Sequence, residues 1–208
     1  MPTFVIVPPE PIITPAGIPG THAADDATIA AYIAAATAQI DGPTGWVGRA
    51  FGVQTLEYRT DGFPCREIVL PCPPVVSLTS ITYRDAAGND QTVDLDTVEL
   101  DQMAGVIRLL SGSWPSTACG LDALKVRYVA GYNGTSIADG GTGSVPTQVT
   151  QAIAFMVQNM AGTATASQDL KVDEIAGIGR REYFTSRADA STLTKAAEGL
   201  LAGLRVFR

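Results

Sequence analysis

Histidine is almost missing from this sequence: His22 is the only one. Catalysis by a Ser–His–Asp or Cys–His set would have to run through that residue, which lies beside a proline-rich stretch. There is also no Gly-x-Ser-x-Gly elbow. Cysteine is sparse and irregular. Cys65, Cys72 and Cys119 are odd in number and form no CxxC pair, which excludes a disulfide framework and leaves zinc without a ligand set. Such usage points to a reducing compartment. Charged residues make up 17% of the chain, below the usual quarter, as suits either a surface partly covered in an assembly or a low-charge monomer. Positive charge is short overall: a net charge of −7 argues against general duplex-DNA binding, which needs a basic footprint. Long apolar runs are absent too. The patch Phe4–Val7 stops at Pro8, Pro9 and Pro11, and nothing approaches the roughly 20 apolar residues of a membrane span. The protein is expected to be soluble, with no membrane partner.

The remaining chemical candidates have simpler structural roles. The Gly140–Ser144 run is glycine-rich but lacks the Lys-Ser/Thr ending of a phosphate loop. The acidic pairs Asp25/Asp26, Asp94/Asp96 and Asp173/Glu174 read as a helix start and solvated turns. No cofactor, metal or catalytic residue is expected, and the chain reads as a non-enzyme.

What is present is structural wording. Residues 1–24 form a proline-rich stretch, with six of the thirteen prolines in the first twenty positions, and are expected to be an extended arm. Such an arm either hangs free or lies along a neighbour, the second being common in assemblies, so Phe4, Ile6, Ile12 and Ile13 are candidates for a subunit interface. Asp25-Asp26 opens a helix whose apolar stripe is Ile29, Ile33, Ala36 and Ile40, ended by Gly42-Pro43. Trp46–Phe51 reads as a further short helical stretch. From residue 53 to 132 the period changes to two, with expected strands at Gln54–Arg59, Glu67–Leu70, Leu78–Tyr83, Val98–Leu100, Val106–Leu109 and Leu124–Val129. Asp85–Gly88 reads as a hairpin tip. Residues 133–144 read as a flexible loop. Pro146 then starts a helix carrying Val149, Ile153, Met156, Val157 and Met160, and Gly162–Gln168 reads as a mobile link. Residues 169–187 read as loop or strand, and Ala190–Leu204 as a last helix with Leu193, Ala197, Leu200, Leu201 and Leu204 on one face. The fold class is therefore α+β: a small helical bundle (25–52 and 145–165) with an antiparallel β-rich insertion (53–132) forming a small sandwich or barrel, followed by a C-terminal segment (166–208).

Charge is uneven. Residues 180–208 hold six basic and three acidic residues, a surplus of three, which leaves the rest of the chain at −10. A basic tail on an acidic body suits docking onto another protein or subunit, and equally an ordinary solvated helix face.

The order of these features resembles the head–tail connector (adaptor) family of tailed phages and gene transfer agent-like particles. The residues that carry the resemblance are Asp25-Asp26, Ile33–Ala36, Thr44-Gly45 with Arg49, Leu70-Pro71 with Pro74-Val75, Tyr83/Asp85/Gly88, Trp114-Pro115, Tyr128/Gly131/Tyr132 and Val145-Pro146. They span about residues 25–160. The chain departs from the pattern at both ends: an arm replaces the usual first helix, and the segment after 160 is longer. The resemblance implies a homo-oligomeric ring, commonly dodecameric, in the virion neck and assembled in the host cytoplasm. The ring would sit below the portal, extend the DNA channel without reading DNA sequence, and present a platform to stopper or tail-terminator proteins. It implies portal docking by the C-terminal region, here Arg180, Arg181, Arg187, Lys195, Leu200, Leu204, Arg205, Phe207 and Arg208. It leaves Leu70, Pro71, Pro74, Tyr83, Asp85, Gly88, Trp114 and Tyr132 as structural motif residues. The alternative reading is a β-sandwich ligand- or carbohydrate-binding module that stacks a sugar on Trp114 and Tyr132.

Overall fold

Two periodicities divide the chain. Met1–Ile12, Ala38–Pro146 and Leu204–Arg208 form one compact unit, dominated by period-two segments; Ile13–Thr37 and Thr147–Gly203 form a second, dominated by the helical period. The computed structural model describes residues 2–23, 25–165, 172–175, 179–182 and 187–206. In chain order its helices and strands are β1 (Thr3–Val7), α1 (Ala27–Ile40), β2 (Gln54–Thr60), β3 (Glu67–Val69), β4 (Val75–Arg84), β5 (Asp90–Thr92), β6 (Val98–Asp101), β7 (Val106–Leu109), β8 (Leu124–Ala130), α2 (Thr147–Thr165), β9 (Val172–Ile175), β10 (Gly179–Glu182) and α3 (Arg187–Ala202). The α+β class holds, and the described strands form open antiparallel sheets rather than a closed barrel.

The β unit holds a five-stranded sheet, ordered β1-β2-β8-β4-β5, and a three-stranded sheet, ordered β3-β7-β6. Its logic is clearest in β8. Leu124, Val126, Tyr128 and Ala130 alternate with Lys125, Arg127 and Val129, and the first set is fully buried. They share a core with Leu56 and Ile81 of the same sheet and with Ile68 and Ile107 of the smaller one. Each fully buried Leu or Ile of that core contributes about 1.5–3 kcal/mol. The two sheets thus form a small sandwich around one apolar layer.

The helices follow their caps. The Asp26 carboxylate accepts from the amides of Thr28 and Ile29, which fixes the start of α1. The expected stripe Ile29, Ile33, Ala36 and Ile40 is buried. On α2, Val149, Ile153 and Val157 are buried, with Met156 and Met160 half-buried. α2 packs on α3 through Ala197 and Leu201 and through a hydrogen bond from Asn159 to the Thr194 hydroxyl at 3.1 Å. The side chain of Leu193 lies outside the described residues.

Four expectations are revised. Trp46–Phe51 is not helical; it turns at Trp46-Val47 and runs on as irregular chain, with Gly48 at φ 73° and Arg49 bridged to Asp41. Residues 3–7 of the arm pair with β2 of the same chain as an edge strand, because the prolines flank the segment instead of interrupting it. The loop 133–144 is built, not loose: the Asn133 side chain accepts from the amides of Thr135 and Thr142, and the buried Thr142 hydroxyl donates to the Gly131 carbonyl. Of the expected link at Gly162–Gln168, residues up to Thr165 continue α2, and 166–168 lie outside the described residues.

Candidate assembly surfaces

The Leu70–Val75 motif joins β3 of the smaller sheet to β4 of the larger one, at the seam of the β unit. Leu70 is fully buried and donates its amide to the Gly105 carbonyl at 2.7 Å. The Pro71 carbonyl accepts from the Tyr128 hydroxyl at 2.7 Å, the Pro73 carbonyl from Ala50, and the Pro74 carbonyl from Gly131. The prolines lack amide hydrogens, yet their three carbonyls anchor two neighbouring segments, the end of β8 and the chain at Ala50, so the turn from β3 to β4 is fixed from outside. Gly45 of the Thr44-Gly45 pair has an equally local reason. A Cβ there would lie 2.4 Å from the carbonyl carbon of Ile40, so only glycine lets the chain turn back on the end of α1.

Aromatic residues divide into two separate sets. Trp114 stacks on Phe63 with ring centroids 4.8 Å apart and donates its indole N–H to the Arg66 carbonyl. Phe63 in turn meets Tyr83 edge-on. Tyr132 instead stacks on the buried Phe51. Trp114 and Tyr132 are thus each engaged with different partners, and this pairing favours packing over a shared sugar platform.

Asp85 closes the β4–β5 hairpin. Its carboxylate accepts from the amides of Ala87 and Asn89 and from the Gln91 side chain. The Asn89 amide, then Gln91, hold the carboxyl below its ordinary range. A depressed pKa means the turn is secured above the ordinary carboxylate value and released as pH falls through the lower folded one. An NMR pH titration should therefore show the Ala87 and Asn89 amides moving with a midpoint below that of a free aspartate. Asp85→Ala should abolish that titration while leaving the core resonances in place.

At the other edge of the same sheet, β1 exposes a row of apolar side chains. Phe4 is 41%, Val5 46%, Ile6 43% and Val7 53% exposed. The Arg59 guanidinium lies 4.5 Å from the centroid of the Phe4 ring, and Arg59 is itself held by Glu57 at 2.7 Å. Glu57 is nearly buried and also binds Arg127, the residue directly across the β2–β8 ladder. Burial opposes its ionisation, but Arg127 and Arg59 outweigh that and bring the carboxyl below its ordinary range. A charged ladder thus stiffens the base on which Phe4 stands. Ile12 and Ile13 are half-buried and belong to different units.

The C-terminal candidates also fall in both units. Arg180 and Arg181 lie on β10, in register with Glu174 and Asp173 of β9. Arg187 begins α3, Lys195 is exposed on it, and Leu200 is half-buried. Leu204 and Arg205 belong to the β unit. There the Leu204 carbonyl accepts from the Arg49 side chain at 2.7 Å, Val206 donates its amide to the Val47 carbonyl, and Arg205 lies 5.7 Å from the Trp46 ring centroid. Phe207 and Arg208 lie outside the described residues. The docking of the tail on residues 46–49 was not legible beforehand; Arg49, already part of a motif, was its one signal. Two buried carboxylates also left no sequence signal. One is Glu57. The other is Asp41, whose carboxylate accepts from the amides of Phe51 at 2.6 Å and Gly52 at 3.2 Å and from the Gln54 side chain at 3.1 Å.

Among the described residues no group of three or more His, Cys, Asp or Glu side chains is placed to hold a metal ion, and no helix is long and apolar enough to cross a membrane. No family model and no curated protein matches the sequence. Solved structures do match. A chain in the neck of a native gene transfer agent particle, computed with C12 symmetry, superposes with a TM-score of 0.64 at 18% identity, covering 100% of this chain and 97% of that one. The fold is that of a gene transfer agent neck chain. The neck of an empty particle, computed with C6 symmetry, gives the same TM-score at 19% identity, and the virion of the native particle gives it at 17%.

Proposed function

We propose that this chain is a non-enzymatic head–tail connector subunit of a tailed phage or gene transfer agent-like particle. The observation that carries the reading is the whole-length fold match to chains of symmetric necks. Subunits form a ring, dodecameric by analogy with the C12 neck, below the portal in the virion neck. The ring extends the DNA channel and offers a platform to stopper or tail-terminator proteins, and it assembles in the host cytoplasm. A net charge of −7 suits a channel through which DNA slides without being held. The division of labour follows the expected segments: the helical core and β insertion build the ring, and the basic residues of 166–208, with Phe207, dock on the portal. The β1 edge, with Phe4 set against the Arg59 guanidinium and Ile6 exposed beside it, is the subunit contact.

The test is the assembly state. Purified protein, alone or with the portal protein, is expected to give ring-shaped class averages and a multimeric mass. The double variant Phe4→Asp/Ile6→Asp should shift the mass to monomer while the unfolding midpoint stays near wild type. A protein that remains monomeric and never co-purifies with a portal or tail protein would overturn the reading.

A further inference from the structure

The only histidine of the chain is placed where a neutral imidazole is under-equipped. Residues Ile13–Ala23 form a strap leading into α1 within the helical unit. The strap turns at Pro15–Gly17 and buries Ile18, and its Pro19 carbonyl accepts from Gln158 of α2 at 3.3 Å. Next in the strap, the His22 ring spans two carbonyls of its own backbone. Nε2 lies 2.9 Å from the Ile18 oxygen and Nδ1 lies 3.0 Å from the Ala23 oxygen. A carbonyl oxygen only accepts, so each short contact requires an N–H on the ring. Neutral imidazole carries one such proton, and only the imidazolium carries two.

We propose that His22 is a proton-operated clasp: as imidazolium it ties the carbonyls of Ile18 and Ala23 together and closes the strap, and as neutral imidazole it releases one of them. The charges around it are few. Asp26, at the start of α1, attracts the cation; Asp25 precedes it; α1 and α2 carry no Asp, Glu, Lys or Arg. The positive end of the α1 dipole works against the cation, and Asp26, which caps that helix end, offsets it. The Ala23 and Ile18 carbonyls, in that order, raise the His22 pKa above its ordinary value, with desolvation opposing them. The sign follows from linkage. A raised folded pKa makes the clasp fully present below the ordinary histidine value and lost as pH rises through the folded one. The clasp rests on the strap geometry alone and stands whether or not the chain builds a ring.

The experiment is an NMR titration of the full chain. Long-range ¹H–¹⁵N spectra at about pH 6 should show both ring nitrogens protonated, with a titration midpoint above the ordinary value of about 6.5. Amide exchange at Ile18 and Asp26, whose N–H groups donate to the Pro15 and Ala23 carbonyls at the two ends of the clasp, corrected for the intrinsic rate, should rise at least about fivefold between about pH 6 and pH 8.5. In His22→Gln the same amides should exchange at the faster level at both pH values, with the global unfolding midpoint retained. Asp26→Asn keeps the helix cap and should lower the midpoint. A midpoint at or below about 6.5, a single neutral tautomer at about pH 6, or exchange that ignores pH overturns the proposal.

Discussion

Gly131→Ala should cost more than about 4 kcal/mol, enough to leave little folded protein in a domain of ordinary stability. Gly131 has φ 120°, and a Cβ there would lie 2.3 Å from the Gly52 oxygen, 2.6 Å from the Gly52 carbon and 2.8 Å from the Val53 Cα. All three are backbone atoms, so no rotamer relieves the overlap. The strand end would have to move, and it is tied on every side. Gly131 donates its amide to the Pro74 carbonyl, its carbonyl accepts from the buried Thr142 hydroxyl, and Tyr132 donates to the Phe51 carbonyl. Displacement therefore strains the seam between the sheets and the base of the 133–143 loop together. Gly88→Ala is the control. Gly88 also has a positive φ, 88°, but meets nothing within 4 Å, so the cost should be about 1 kcal/mol from backbone conformation alone. Urea unfolding of both variants separates the effects. A Gly131→Ala midpoint as close to wild type as that of Gly88→Ala would show that the seam yields where the geometry says it does not.

This contrast also explains which parts of the fold were readable in advance. β7 was placed residue for residue and β8 to within one, because burial on one sheet face writes a period-two pattern into the chain. β5 left no such trace: Asp90, Gln91 and Thr92 are all exposed, and only pairing with β4 makes them a strand. β1 was hidden differently. Its apolar run is uniform, not alternating, and the nearby prolines resemble those of a free arm until the partner strand is known. The grouping of Met1–Ile12 and Leu204–Arg208 with the central β segment is a matter of distant contacts, which no local pattern encodes. Order in the 133–144 loop was missed because glycine content measures local freedom and says nothing of the Asn133 and Thr142 side chains that remove it. The motif residues were legible as a series, but their reason was not. The Leu70–Val75 junction matters for where its carbonyls point, and that is a property of the assembled sheets.

Asp41 is the second site where a single substitution should be severe. Asp41→Ala is expected to cost about 4 kcal/mol. It would strip the acceptor from the amides of Phe51 and Gly52 and from the Gln54 side chain, all three of them buried. An unsatisfied buried donor costs about 1–3 kcal/mol, and some of that loss is recovered if water enters the vacated space. Asp41→Asn should cost about half as much. The amide keeps one oxygen for the Phe51 amide and Gln54 but turns its NH₂ toward the Gly52 amide, a donor against a donor. It also relieves one expense of the native site. Burial pushes the Asp41 carboxyl above its ordinary range, while the Phe51, Gly52 and Gly42 amides and the Gln54 side chain pull it back. A raised folded pKa means that ionised Asp41 opposes folding, so its contribution is largest below the ordinary carboxylate value and declines as pH rises through the folded one. The stability difference between wild type and Asp41→Asn should therefore narrow from mildly acidic to neutral pH. Urea unfolding at both pH values reads this directly. A constant difference would mean that the carboxylate keeps its ordinary pKa and that the three donors fully offset its burial. An Asp41→Ala cost below about 1 kcal/mol would mean that solvent replaces the carboxylate without loss. Residues 41–54 would then be held by the Ile40, Phe51 and Val47 packing and not by this polar node.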